Sequence, residues 1–306
     1  MQSVTSEQNV IEEQITHLWI LSAVGRAVDQ GLLETAAPAD DPEAVLTQRL
    51  LLEAGLLTRD PIAPSERMLA AVPPGVPPAA LTGYVRELLG FVQRYVEGAG
   101  RGWAETDPAL IRWRGVSSGK IAMSIFGRCF ARLRGFPARL AAPGAGFLDV
   151  GTGAGGIAIE LCQRFPHLNA VGLDINPPAV AVAKADIAAA GLDARIEVRE
   201  QSVAKIPDVG AFDMIWVPQP FISADILEEA LPKLFRAARP GAALIMLVSA
   251  HDHTGLAATA TDLWNLMIGG GTLQPRPAAL MLEQAGFAQV ETISNPTQVA
   301  LIATRP

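Results

Sequence analysis

The chain has 306 residues, half of them apolar, with 18% charged residues and a formal net charge of −7. That is enough apolar material for one large domain, or for a main domain with a smaller one, and it excludes bulk disorder. An acidic balance provides no general surface for a phosphate backbone, so nucleic acid is not an expected partner.

The first segment reads as a helix, with Ile11, Ile15, Leu18 and Ser22 on one face and Trp19 beside them. Gln8, Glu12, Glu13 and Gln14 interrupt the place where a leader's apolar core would lie. A second helical stretch runs from Pro42, suited to a first helical position, through Leu46, Leu50 and Glu53 to a capping Gly55. The run Ala71-Val72-Pro73-Pro74-Gly75-Val76-Pro77-Pro78 is a breaker cluster and predicts a connection. Helical patterns return at about residues 81–96 and 118–133, and Ala142-Pro143-Gly144-Ala145-Gly146 opens a different regime.

From there, strands are predicted near 147–150, 170–174, 195–199, 212–217, 242–249, 287–293 and 298–304, with helical stretches between most of them. Alternation of this kind predicts an α/β fold, a doubly wound and mostly parallel seven-stranded sheet preceded by a helical N-terminal domain. The short link Asn295-Pro296-Thr297 predicts an antiparallel hairpin at the end. Cys129 and Cys162 stand far apart in apolar contexts, which reads as reduced thiols of a cytoplasmic protein and not as a zinc site. The longest apolar run, Ala242 to Val248, has the length of a strand, so no membrane partner is expected.

The most informative run is Phe147-Leu148-Asp149-Val150-Gly151-Thr152-Gly153-Ala154-Gly155-Gly156, followed by Ile157, Ala158, Leu161, Cys162 and Phe165 at helical spacing. It reads as strand, tight turn and helix. Glycine allows positive φ and close backbone approach, and a helix N-terminus presents unpaired N–H groups to a ligand. Gly151, Gly153 and Gly156 satisfy G-x-G-x-x-G, letters that a nicotinamide dehydrogenase would share. An acid, Asp174, closes the next strand, where it can accept both ribose hydroxyls of an adenosine, and Asn176 with Pro177 reads as a helix start.

These motifs, with the order of Phe212 to Val217, Arg239-Pro240-Gly241 and Ala285-Gly286-Phe287 after them, resemble a class I S-adenosylmethionine-dependent methyltransferase over about residues 145–306. The resemblance implies a Rossmann-like sheet of strand order 3-2-1-4-5-7-6, with S-adenosylmethionine as cofactor. It implies that Asp149, Gly151, Thr152, Gly153 and Gly155 approach the methionine part, that Asp174 holds the ribose and that Ile175 lies against the adenine. Where the family usually carries an acid for the adenine amine this sequence has Ser202, next to Val203; Pro218 closes the cofactor set. The front half resembles the helical, winged-helix-like dimerisation region of small-molecule methyltransferases, on Gly55-Leu56-Leu57-Thr58-Arg59-Asp60 and the Trp19 helix. Sparse positive charge over residues 1–80 argues against a DNA-binding winged helix. The domains expected are a helical dimerisation region, 1–100, a helical cap over the active site, 101–143, and a cofactor domain, 144–306.

A phenol acceptor needs a base, and the resemblance places a His just after the fourth strand of the domain, where this chain reads Pro218-Gln219-Pro220-Phe221. Gln219 is a candidate for orienting the acceptor and Phe221 for stacking on it. Ser249-Ala250-His251-Asp252-His253 follows the next strand, making His251 a candidate base and His253 an acceptor contact; two such His lack a third metal ligand. The triplet Arg112, Trp113 and Arg114 could hold a carboxylate and an aromatic ring, and Phe126 could wall a pocket. The expected function is methyl transfer to a small organic molecule by a homodimer, with the O, N or C acceptor open. The alternatives are a cofactor-binding protein of the same fold with another role, and a nicotinamide-dependent oxidoreductase.

Overall fold

The computed structural model describes residues 4–71, 80–248, 255–295 and 298–306. The chain divides into two compact units, Met1–Gln93 and Arg94–Pro306.

In the first unit, α1 (Val4–Asp29) and α2 (Pro42–Glu53) are followed by a small antiparallel hairpin, β1 (Leu57–Arg59) and β2 (Ile62–Pro64), then α3 (Glu66–Ala71) and α4 (Ala80–Val96), whose last turn passes the boundary. The α2 helix starts as the sequence predicts: Pro42 opens it and Asp41 accepts a hydrogen bond from the Ala44 N–H. Ala23, Ala27, Leu32, Leu33, Ala44, Leu51, Leu57 and Met68 form its core. Gln48, buried, donates its amide N–H groups to Leu32 O and Thr35 O and accepts from Ala37 N, which fixes the connection between α1 and α2. Ile15, Leu18 and Trp19 leave an apolar strip of α1 exposed, Trp19 at 65%.

The second unit begins with α5 (Pro108–Arg132) and α6 (Phe136–Ala141). Then come β3 (Gly146–Val150), α7 (Gly156–Arg164), β4 (Asn169–Asp174), α8 (Pro177–Ala189), β5 (Ile196–Glu200), β6 (Phe212–Pro218), α9 (Ala224–Ala237) and β7 (Ala238–Val248). The unit ends with α10 (Leu256–Ile268), α11 (Pro275–Gln284), β8 (Ala288–Asn295) and β9 (Gln298–Thr304). The sheet order is β5-β4-β3-β6-β7-β9-β8, parallel from β5 to β7, with β9 antiparallel to both β7 and β8. Numbered within this sheet alone, that is the expected order 3-2-1-4-5-7-6, and the last two strands pair as the expected antiparallel pair.

Side chains alternate between two cores. Phe147, Met214, Trp216 and Ile245 face α5, α7 and α8, while Leu148, Val150, Ile215, Val217 and Leu244 face α9 and α11. Helix α5 starts ten residues before its predicted boundary. Pro108 opens it and Asp107 accepts from the Ala109 N–H at 2.8 Å, whereas Gly115 and Gly119 dilute the helical signal in the sequence.

Candidate functional site

The turn between β3 and α7 is fixed from three sides. Gly151, Gly153 and Gly155 have φ of +65°, +56° and +78°, a region closed to most side chains. The Thr152 N–H donates to Leu173 O at 2.9 Å, and its hydroxyl donates to Asp149 Oδ2 at 2.8 Å. A Cβ on Gly172 would stand 2.7 Å from Thr152 Oγ1, so β4 needs glycine where the turn leans on it. A Cβ on Gly151 would stand 3.5 Å from Pro218 Cγ, which brings the end of β6 to the same place. Around Gly153 nothing lies within 4 Å of that position, so the turn presents bare backbone to open space.

Asp174 meets this turn from the end of β4. Its Oδ2 accepts from the Gly153 N–H at 2.8 Å and its Oδ1 from the Asn176 N–H at 2.9 Å. Each carboxylate oxygen has two lone pairs, so both oxygens retain an acceptor direction for a ligand. Asn176 stands at the N-cap of α8 as predicted, but its Nδ2 donates to Glu105 O at 2.8 Å and caps nothing. Burial raises the Asp174 carboxyl above its ordinary value, against the pull of the Asn176, Gly153 and Ile175 backbone N–H groups.

Asp149 is fully buried, and burial pushes its carboxyl up to about 7, opposed by the Thr152 hydroxyl and the Ala158 N–H and assisted by the charge of Asp174. Its Oδ1 makes no hydrogen bond among the described residues; nor does the indole N–H of Trp216, its register partner on β6. A carboxyl held up in this way binds a proton that the unfolded chain has released, from about pH 4 to about pH 7. The ligand-free protein should therefore lose stability as pH rises through that window, by at most about 1.4 kcal/mol per pH unit, and level off above it. Asp149→Asn should flatten the slope. Urea unfolding at pH 5 and pH 7.5 measures it, and a wild-type profile flat between these values would refute the assignment.

The other candidates are distributed unevenly. Ile175 projects beside Asp174 and is 73% exposed. Ser202 begins a short 3-10 turn over 203–205, accepting from Ala204 N, and Val203 is buried there. Gln219 is buried and gives its amide N–H to Gly270 O at 2.7 Å, an approach so close that a Cβ on Gly270 would stand 2.2 Å from Pro220 O. Phe221 lies at the margin of this turn with the Arg114 guanidinium 5.9 Å from its ring centre. Arg112 points elsewhere and pairs with Asp186 of α8 at 2.9 Å. The structure places Phe126 in the core, edge-on to Trp216 and Phe147, and not at the cleft. Half-buried Trp113 lies on α5 with Arg114 over its ring. His251 and His253 lie outside the described residues. Sequence reasoning missed Gly172 and Gly270, whose signal exists only in three dimensions, and of the triplet Arg112-Trp113-Arg114 it could not say which arginine stands beside Phe221. Among the described residues no group of three or more His, Cys, Asp or Glu could hold a metal, and no helix is long and apolar enough to cross a membrane.

S-adenosylmethionine fits this donor set. The bare turn takes close contact, Asp174 offers two acceptor directions for vicinal hydroxyls, and the buried, unpartnered Oδ1 of Asp149 suits a cationic group.

Residues 147–241 match the methyltransferase-domain family. Over 100 residues the chain is 36% identical to a demethylmenaquinone methyltransferase of Thermus thermophilus, covering 33% of this chain and 45% of that protein. The chain spans about half the length of the curated relatives it matches. Among solved structures, an O-methyltransferase family protein from Burkholderia thailandensis superposes with a TM-score of 0.71 at 18% identity, over 100% of this chain and 98% of its own. PigF with SAH superposes at 0.67 and 21% identity, over 97% and 99%. Residues 147–241 are therefore similar to a methyltransferase domain, and the chain shares the fold of these solved structures, a seven-stranded, mostly parallel sheet preceded by a helical N-terminal region.

Proposed function

We propose that this protein transfers the methyl group of S-adenosylmethionine to a small organic acceptor in specialised metabolism. The observation that carries the reading is the convergence of Gly153, Asp149 and Asp174 on one open turn, with both Asp174 oxygens already aligned by backbone N–H groups. In this reading Asp174 accepts the two ribose hydroxyls, Ile175 offers an apolar face to the adenine, and Ser202 and Val203 edge that face. Asp149, Gly151, Thr152, Gly153, Gly155 and Pro218 border the methionine part. When bound, the cofactor supplies an electrophilic methyl group on a sulfonium.

The chain's own contribution is to hold the two reactants in line and keep water out. Residues 212–218 of β6 are buried throughout, so the floor beneath the reacting centre is dry. Ligands of open α/β sheets bind beyond the strand C-termini, where Phe221 offers a stacking face beside Arg114. Gln219 acts on the acceptor through the turn it pins at Gly270. Helix α5, within the 101–143 segment, packs along α7 and α8, which supports its role as a cap. The exposed Ile15, Leu18 and Trp19 of α1 support homodimerisation; light scattering reading a monomer mass would dismiss that part. The buried, unpaired Cys129 and Cys162, raised to about 12 and about 11 by burial, suit a cytoplasmic location.

Calorimetric titration with S-adenosylhomocysteine tests the donor half, and absence of heat at saturating concentration sinks it. Incubation of phenol, amine and activated-carbon acceptors with labelled S-adenosylmethionine tests the transfer. Label appearing in an acceptor supports it; donor binding with no turnover across all three classes favours a binding role on the same fold.

A further inference from the structure

Helix α5 crosses α7 in backbone contact, at the turn just described. A Cβ on Gly156 would stand 2.0 Å from Gly115 O, and one on Gly119 would stand 3.1 Å from Gly156 O. Gly115 and Gly119, one helical turn apart, straddle Gly156. A Cβ on Gly115 would stand 2.6 Å from the Cβ of Ala154, which lies within the turn between Gly153 and Gly155. Ordinary carbon contacts are about 3.5–4.0 Å, so a single methyl group at 115 overlaps the turn by about 1 Å. Gly127, farther along α5, has nothing within 4 Å of its Cβ position, so close packing explains Gly115 and not Gly127.

Other contacts fix the same stretch of chain. Ile111, one turn before Gly115, is fully buried with Ala154, Ala179 and Val182, and Trp103 packs against them. Glu105 O accepts from Asn176, and Arg112 pairs with Asp186. Residues 103–119 are thus tied both to the glycine turn and to α8, which follows Asp174.

We propose that Gly115 is a positioning residue for donor binding: by bringing α5 into backbone contact it sets where the Gly153 N–H stands relative to Asp174. This rests on the donor reading given under Proposed function. A side chain at 115 pushes Ala154, the neighbour of Gly153, and displaces the N–H that aligns the Asp174 carboxylate. Misplacement of about 1 Å at such a site costs up to about a hundredfold.

The test is a size swap across the contact, read by S-adenosylhomocysteine titration on the full chain, with Gly115→Ala, Ala154→Gly, the double variant and Gly127→Ala. Gly115→Ala is expected to weaken binding by about tenfold or more and to raise the donor KM while kcat at saturating donor moves less than about twofold. Adding Ala154→Gly removes the clashing atom and should restore most of the affinity; Gly127→Ala should bind as the wild type does. If Gly115→Ala fails to fold, the double variant carries the test, because it lacks the overlap. Wild-type affinity in Gly115→Ala, or a folded double variant as weak as the single one, overturns the inference. No binding by the wild type would instead defeat the donor reading itself, so the two failures are distinguishable.

Discussion

Asp174→Ala should weaken S-adenosylhomocysteine binding by about a hundredfold or more while leaving the fold in place. The carboxylate of Asp174 serves both sides of the site. Toward the protein it accepts the Gly153 and Asn176 N–H groups at 2.8 and 2.9 Å; toward the ligand it has two lone pairs to spare. A hydrogen bond to a charged acceptor contributes about 1.5–3 kcal/mol net, and two ribose hydroxyls lose theirs together, so the sum exceeds about 3 kcal/mol. The turn also loses the acceptor that orients Gly153, which adds to the loss. Stability should fall little, because the two freed N–H groups lie beside the open cleft and can turn to water. Calorimetry gives the affinity and urea unfolding gives the stability. A dissociation constant within threefold of wild type would remove Asp174 from the ribose, and the donor reading with it.

Asp213→Ala should produce the opposite pattern, with stability lost and donor affinity kept. Asp213 opens β6 at the far end of the sheet and is buried. Its Oδ1 accepts from Arg139 at 2.8 Å; its Oδ2 accepts from the Gly146 N–H at 2.9 Å and from Arg239 at 2.5 Å. One carboxylate therefore joins α6 with the first residues of β3 and β6 and the start of β7. Arg239 also reaches Gly144 O and Gly210 O, and Arg139 reaches Pro240 O, so the acid is the hub of a polar lock. Removing the acid leaves the Gly146 N–H without its acceptor and two guanidinium groups without their counter-charge, each holding only backbone carbonyls. Breaking a buried pair from one side costs about 3–5 kcal/mol. The arginine side chains are a third exposed, which places the expected loss at about 3 kcal/mol, the lower end of that range. Urea unfolding measures it. A loss below about 1 kcal/mol would show that the lock is ornamental, and a large fall in donor affinity in the folded variant would show that the two ends of the sheet are coupled.

Much of the second unit was legible because its rules are local. Strand periodicity, the acid before the glycine turn and the acid closing the next strand all lie within a few residues of the structure they specify, and β3, β4 and Asp174 stand where the spacing placed them. The start of α5 was not legible, because Asp107 and Pro108 announce a helix that two glycines then weaken; those glycines are explained by Gly156, forty-one residues beyond the first and thirty-seven beyond the second. Arg112 and Arg114 are equivalent in sequence, and only the fold turns one toward Asp186 and sets the other over Phe221. Gln219 has its amide nitrogen bound to a carbonyl fifty-one residues away. Features built by distant pairs leave no local pattern to read.

The placing of β9 between β7 and β8 bears on how the chain is made. On the ribosome, the outer edge of β7, a run of apolar residues from Ala243 to Val248 that are buried except for Leu247, has no neighbour until residues 299–304 have emerged, and β8, although synthesised first, has nothing to bind to in the interval. An apolar edge with free N–H and C=O groups is a template for strands of other chains. The nascent protein thus passes through a stage in which self-association competes with completion of its own sheet.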